Sequence, residues 1–158
     1  MEQRNESVLV TKESFRAVGL KWSGTFAEAG AGRIRVVQEE MQARFNEIKH
    51  VLNPEILLGL SYQDDEVGFT HYSVVEVAEI EDVPKGMKSI TVPALTYAKC
   101  EHTKGQTIDI SYNNIYAWIE SQDYRPCDDD VTHVERYPMH QDPYTKDPEF
   151  TIMIPVKK

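Results

Sequence analysis

Long apolar runs are missing from this chain. No stretch approaches the roughly 18 consecutive apolar residues that a membrane-crossing helix needs, so no spanning helix is expected. Cysteine is scarce. Cys100 and Cys127 cannot make a disulfide framework, and a cytoplasmic setting with reduced thiols is the default expectation. Met1 to Ser7 is polar and of mixed charge, without the basic region and apolar run of a secretory signal. Positive charge is in deficit. Lys plus Arg number 17 against 26 Asp plus Glu, for a net charge of −9. That balance argues against binding to nucleic-acid phosphates and suits a neutral or cationic small ligand.

Motifs for common chemistries are also absent. There is no G-x-S-x-G around a serine, so a nucleophile triad has no support. Gly30-Ala31-Gly32 precedes a helical stretch and could meet an anion, yet no dinucleotide or Walker pattern surrounds it. Cys100, Glu101, His102, Cys127, His133 and His140 offer metal-binding atoms without the paired spacing of a structural zinc site. Asp128-Asp129-Asp130 lacks the Gly and the terminal Glu of a calcium loop and reads as a solvated turn. No metal and no cofactor is expected.

What remains is a foldable globule of one domain, 41% hydrophobic and 27% charged. Two halves, about 7–82 and 88–157, each read strand, helix, strand, strand. Ser14 to Trp22 is the first predicted strand, and Ser23 to Gly32 a Gly- and Ala-rich loop. Ile34, Val37, Met41, Phe45, Ile48 and Leu52 form a helical stripe stopped by Asn53-Pro54. Strands are expected at Ile56 to Tyr62 and Tyr72 to Ile80, with an acidic turn over Gln63 to Gly68. The second half repeats the order. Ser89 to Glu101 is strand-like, with Pro93 near its start or at a bulge. Thr107 is a candidate cap for a helix striped by Ile108, Tyr112, Ile115, Tyr116 and Ile119. Thr132 to Tyr137 is a short strand, and Phe150, Ile152, Ile154 and Val156 alternate in a last one with one apolar face. The expected fold is α+β, a duplicated β-α-β-β module with pseudo-two-fold symmetry, an antiparallel sheet with two helices, and a cleft where the halves meet.

The strand Thr132 to Tyr137 places His133, Glu135 and Tyr137 on one face and Val134 and Arg136 on the other. A carboxylate among aromatic rings suits a cationic aromatic ligand, through charge and through cation–π attraction. An exposed Glu135 paired with a neighbouring cation is the plainer alternative. Tyr62, Phe69 and Tyr72 flank the first hairpin, and Tyr97, Tyr112, Tyr116 and Trp118 gather in the second half as candidate pocket walls or as core.

Several runs in order resemble the GyrI-like effector-binding domain family. They are Val92-Pro93-Ala94-Leu95-Thr96-Tyr97-Ala98, His102-Thr103-Lys104-Gly105, Tyr112 to Ile119, Glu135-Arg136-Tyr137, Asp147-Pro148 and Ile152 to Lys157. Such domains occur alone and as ligand-sensing parts of AraC-type and MerR-type regulators. The resemblance implies a duplicated, SHS2-type fold with a central cleft and a buried carboxylate near its floor. By position it assigns that carboxylate to Glu135, with Tyr137 following it. It makes Tyr72 a wall aromatic and Trp118 the aromatic of the second helix. Ser121-Gln122-Asp123 stands where the family often has Gly, and the Asp128 to Asp130 loop is more acidic than usual. With no room before Ser14 for a helix-turn-helix, a stand-alone member without direct operator binding is expected.

Three functions compete. One is a protein that binds a small hydrophobic or cationic compound in regulation or drug resistance, using Glu135, Tyr137, Tyr72, Trp118, Tyr62, Tyr97 and Tyr112. The second is a hydrolase opening the strained ring of cyclopropanoid DNA-alkylating compounds, with Glu135 acting on water and a tyrosine hydroxyl on the oxyanion. The third is an acidic interaction protein that inhibits DNA gyrase.

Overall fold

The computed structural model describes residues 2–64, 66–127 and 129–158. In chain order the elements are β1 Val8–Lys12, β2 Phe15–Thr25, α1 Phe26–Gly30, α2 Arg33–Arg44, β3 Ile56–Gln63, β4 Gly68–Val77, β5 Lys88–Val92, β6 Leu95–His102, α3 Ile108–Ser121, β7 Arg125–Pro126, β8 His133–Pro138 and β9 Phe150–Lys157. The strands make an open antiparallel sheet of order β1-β6-β9-β8-β3-β4-β2-β5, with β7 beside β9. Exchanging β1 with β5, β2 with β6, β3 with β8 and β4 with β9 returns the same order reversed. The leading strand of each half therefore pairs at the outer edge of the other half.

That exchange forces the sheet to curl. β1 and β2 lie six strand spacings apart in the order, about 29 Å in a flat sheet. Only Glu13 and Ser14 link them, a reach of about 11 Å. β5 and β6 repeat the situation across Pro93 and Ala94. The sheet consequently wraps one face around an apolar interior built from Phe15, Ala17, Leu58, Leu60, Val74, Tyr97, Val134 and Met153. The other face carries the helices. Met41 of α2 packs on Val18, Leu57 and Val75, while Ile115 and Ile119 of α3 pack on Ala98, Ile152 and Ile154. Each such side chain, fully buried, contributes about 1.5–3 kcal/mol.

The curl explains one departure from the sequence pattern. Met153 and Pro155 of β9 are buried as well as Ile152 and Ile154, because both faces of the strand are covered. Other differences are local. The first helical stripe does not run to Leu52. α2 ends at Arg44, a 3-10 turn follows at Phe45–Glu47, and His50 adopts φ 63°. Val51 then bridges Val77, and Leu52 is exposed. The expected loop at 23–32 instead holds the end of β2 and all of α1. The strand expected from Tyr72 to Ile80 is β4, beginning at Gly68 and ending at Val77. The acidic turns expected over 63–68 and 128–130 fall partly on Asp65 and Asp128, outside the described residues.

Candidate functional site

On the helical face, α1–α2 and α3 leave a gap over the middle of the sheet, where β3 of one half pairs with β8 of the other. Register fixes what lines it. Leu57, Gly59 and Ser61 of β3 stand opposite Tyr137, Glu135 and His133 of β8, and Ser61 stands opposite His71 of β4. Paired residues share a face, so these side chains point together toward the helices. The gap is a cavity of about 420 Å³ with His71, His133 and Glu135 in its floor and Phe26, Phe69 and Tyr116 among its walls.

Each wall is held in place by local chemistry. Thr25 caps α1 in a capping box. Its Oγ1 accepts from the Glu28 amide at 3.1 Å, and its own amide donates to Glu28 Oε1 at 2.9 Å. This fixes Phe26, which stacks on Phe69 at 5.0 Å between ring centres. The opposite wall is α3. Thr107 is its N-cap residue but makes no side-chain cap bond; its amide donates instead to Gln3 Oε1 at 2.7 Å. Gln3 and Asn5 also donate to Ser111 Oγ, which sits 2.6 Å from His102 Nδ1. The N-terminal segment so secures the turn of α3 that carries Tyr112.

Glu135 is half-buried, and both of its oxygens are engaged. Tyr112 donates its hydroxyl to Oε2, and Tyr137 donates to Oε1 at 2.8 Å. Burial, and then the charge of Glu135, push both phenols well above the usual tyrosine range, so they remain donors. Tyr137 is stacked on Phe150 at 4.9 Å, which holds its hydroxyl on the carboxylate. His71 is 2% exposed, and its Nδ1 lies 3.1 Å from Ser61 Oγ. Burial pulls its pKa down to about 4 against the opposing influence of Glu135. Burial lowers His133 in the same way. The floor thus carries one carboxylate and two imidazoles that are neutral near pH 7.

His71 Nε2 finds no hydrogen-bond partner among the described residues. Gly59 is what leaves room beside it. A Cβ built there would lie 2.9 Å from His71 Cε1 and 3.3 Å from Nε2. Neither His71 nor Gly59 stood out in the sequence, because their importance comes from register across strands and not from spacing along one.

Of the residues singled out from sequence, Glu135, Tyr137 and Tyr112 come together. Tyr72, Tyr62 and Tyr97 do not join them. They occupy the other face of the sheet, by the same alternation that turns Glu135 toward the helices. Tyr62 and Tyr72 meet edge to face at 5.7 Å there, and Tyr97, 1% exposed, is part of the curled interior. Trp118 packs on the cluster beneath α3 and is not among the side chains lining the cavity. Tyr116, read as helix stripe, and Phe26 are half-exposed at its mouth.

The set weighed from sequence as a metal site does not assemble among the described residues. His50, Glu79 and Glu81 do approach one another on the exposed surface, where Glu81 bonds His50 Nε2 at 2.8 Å and Glu79 lies 3.1 Å from the same nitrogen. Cys100 is buried, and burial pushes its thiol up to about 11, away from the thiolate that a metal would take.

Among curated proteins none matches the chain. Solved structures resemble it in fold. SAV2435 bound to tetraphenylphosphonium is 18% identical, with a TM-score of 0.73 over 96% of this chain and 94% of that one. The EcmrR C-terminal domain is 14% identical, with a TM-score of 0.66 over 99% of each. A hydrolase from Listeria innocua is 10% identical, with a TM-score of 0.54 over 96% and 92%. The model of the GyrI-like small molecule binding domain matches residues 5–157, and the chain belongs to that family.

Proposed function

We propose that the cleft between α1–α2 and α3 binds a small aromatic cation, with Glu135 as the charge that selects it. The observation that carries this reading is the carboxylate held by two phenols at the floor of a cavity whose mouth is aromatic. The phenols keep the negative charge fixed without supplying a compensating positive one, so a ligand cation completes the pair. The ring faces of Phe26 and Tyr116 at the mouth add cation–π attraction. That a neighbour in fold carries tetraphenylphosphonium supports this choice of ligand class. In this reading the two halves, about 7–82 and 88–157, are copies of one module, and the ligand sits on the axis between them. A role as a sensor or sequestering protein in regulation or drug resistance follows.

The commitment of both hydroxyls to Glu135 favours binding over turnover, since neither is free to meet an oxyanion. A hydrated product formed from a strained cyclopropane electrophile in excess of protein would reverse that choice.

The test is a calorimetric titration with tetraphenylphosphonium and with a neutral aromatic of similar size. Glu135→Gln keeps the shape and removes the charge. The cation should lose about tenfold or more in affinity, ~1.4 kcal/mol or greater, and the neutral compound much less. Equal losses for both would contradict the role given to Glu135.

A further inference from the structure

We propose that the end of the curled sheet holds a second, separate binding site, for a small monocarboxylate with a ring or short apolar chain, held by the Arg136 guanidinium. The site lies on the face of the sheet away from Glu135 and does not depend on the reading of the cleft.

A cavity of about 150 Å³ opens there. Its walls include Phe15, Leu58, Tyr97, Val134 and Met153, all part of the buried interior. Arg136, Lys12 and Glu76 stand among the lining residues. Lys12 is already committed, to Glu76 at 3.0 Å and to the face of Phe15 at 4.6 Å from the ring centre. Arg136 is different. It is half-buried, and its guanidinium makes no hydrogen bond or ion pair among the described residues. Arg16, in contrast, donates to the Ala78 carbonyl, and Arg44 to Glu47. Arg136, Lys12 and Glu76 together bring a net charge of +1 to an apolar cavity, in a chain whose net charge is −9.

A guanidinium partly withdrawn from water and left without an acceptor favours an anion that brings its own apolar surface. The planar fork of Arg matches a carboxylate in two parallel hydrogen bonds. The space sets the size: a cavity of about 150 Å³ takes one benzene-sized group. Mouths of barrel-like sheets are common places for such ligands. The ring or chain enters among Leu58, Val134 and Met153, and the carboxylate stays at Arg136.

The probe is benzoate, with benzyl alcohol as its neutral counterpart, followed by methyl NMR of Leu58, Val134 and Met153. Benzoate should shift these methyls saturably and bind at least about tenfold more tightly than benzyl alcohol, a comparison that needs no variant. Arg136→Gln should weaken benzoate by about tenfold, and Glu135→Gln should leave it within about twofold. Equal binding of the two compounds, no shift at these methyls at ~10 mM benzoate, or an unchanged titration in Arg136→Gln would overturn the proposal. Failure of tetraphenylphosphonium to bind would touch only the cleft, because the benzoate titration reads the methyls of Leu58, Val134 and Met153 on the other face of the sheet.

Discussion

Glu135 and Arg136 are adjacent in β8 and open onto different worlds. The face of Glu135 is polar at its floor: a carboxylate, two phenols bonded to it, two neutral imidazoles and a serine, under a gap between helices. The face of Arg136 is the inside of a curled sheet, where Leu58, Leu60, Val74 and Val134 are buried and the charged groups Arg136, Lys12 and Glu76 stand at one end. One strand serves both because alternate residues point to opposite sides, and the exchange of leading strands closes the second face without a helix over it. The contrast teaches a division of labour. The inner face supplies stability, and the outer face can keep groups whose burial is costly because its apolar packing is confined to the two ends of the gap.

The largest effect should come from damaging the inner face. Leu60 is fully buried there, and Leu60→Ala should cost about 2–5 kcal/mol in a denaturant titration. Glu135→Gln in the same assay should cost clearly less; the reverse order would break the contrast.

The outer face should reveal itself through pH. His71 falls from an ordinary value of 6.5 in the unfolded chain to about 4 when folded. Between those values the unfolded state binds more protons, so stability is complete above about pH 6.5 and is lost as pH falls toward 4. The span corresponds to about 3 kcal/mol, with His133 acting in the same direction. His71→Asn should flatten the slope between pH 6.5 and 4.5; an unchanged slope would mean that the imidazole is not held neutral.

A smaller, selective effect is expected at Gly59. An added methyl would lie 2.9 Å from the His71 ring, so Gly59→Ala should cost about 1–3 kcal/mol of stability. It should also weaken tetraphenylphosphonium while leaving benzoate binding alone. Loss of both ligands together would show that the two faces are coupled. Smallest of all, Trp118→Phe and Tyr72→Phe should change cation affinity by less than about twofold, because neither side chain lines the cleft.

Much of this architecture was legible in the residue order. The helical stripe of Tyr112, Ile115 and Ile119 and the strand around Glu135 come through because each is a local pattern with one buried face. Alternation puts Glu135 and Tyr137 on one face of β8, and the resemblance assigns the carboxylate to Glu135; Tyr112 stood only among the candidate wall or core aromatics, and its bond to Glu135 comes from the packing of α3. Three kinds of information were not local. The curl arises from the pairing of β1 with β6 and β5 with β2, far apart in sequence, and it is what buries both faces of β9. The placement of Tyr62, Tyr72 and Tyr97 away from Glu135 depends on cross-strand register, which a count of aromatics does not encode. The end of α2 at Arg44 depends on Val51 finding Val77 in β4, a contact that overrides the helical period running on to Leu52.

The most direct test of the account is a crystal structure with tetraphenylphosphonium bound. The cation centre should sit between α1–α2 and α3, with a phenyl ring against Phe26 or Tyr116 and the Glu135 carboxylate as its nearest ionised group. Density for the cation on the other face of the sheet, or in the cleft but turned away from Glu135, would contradict it.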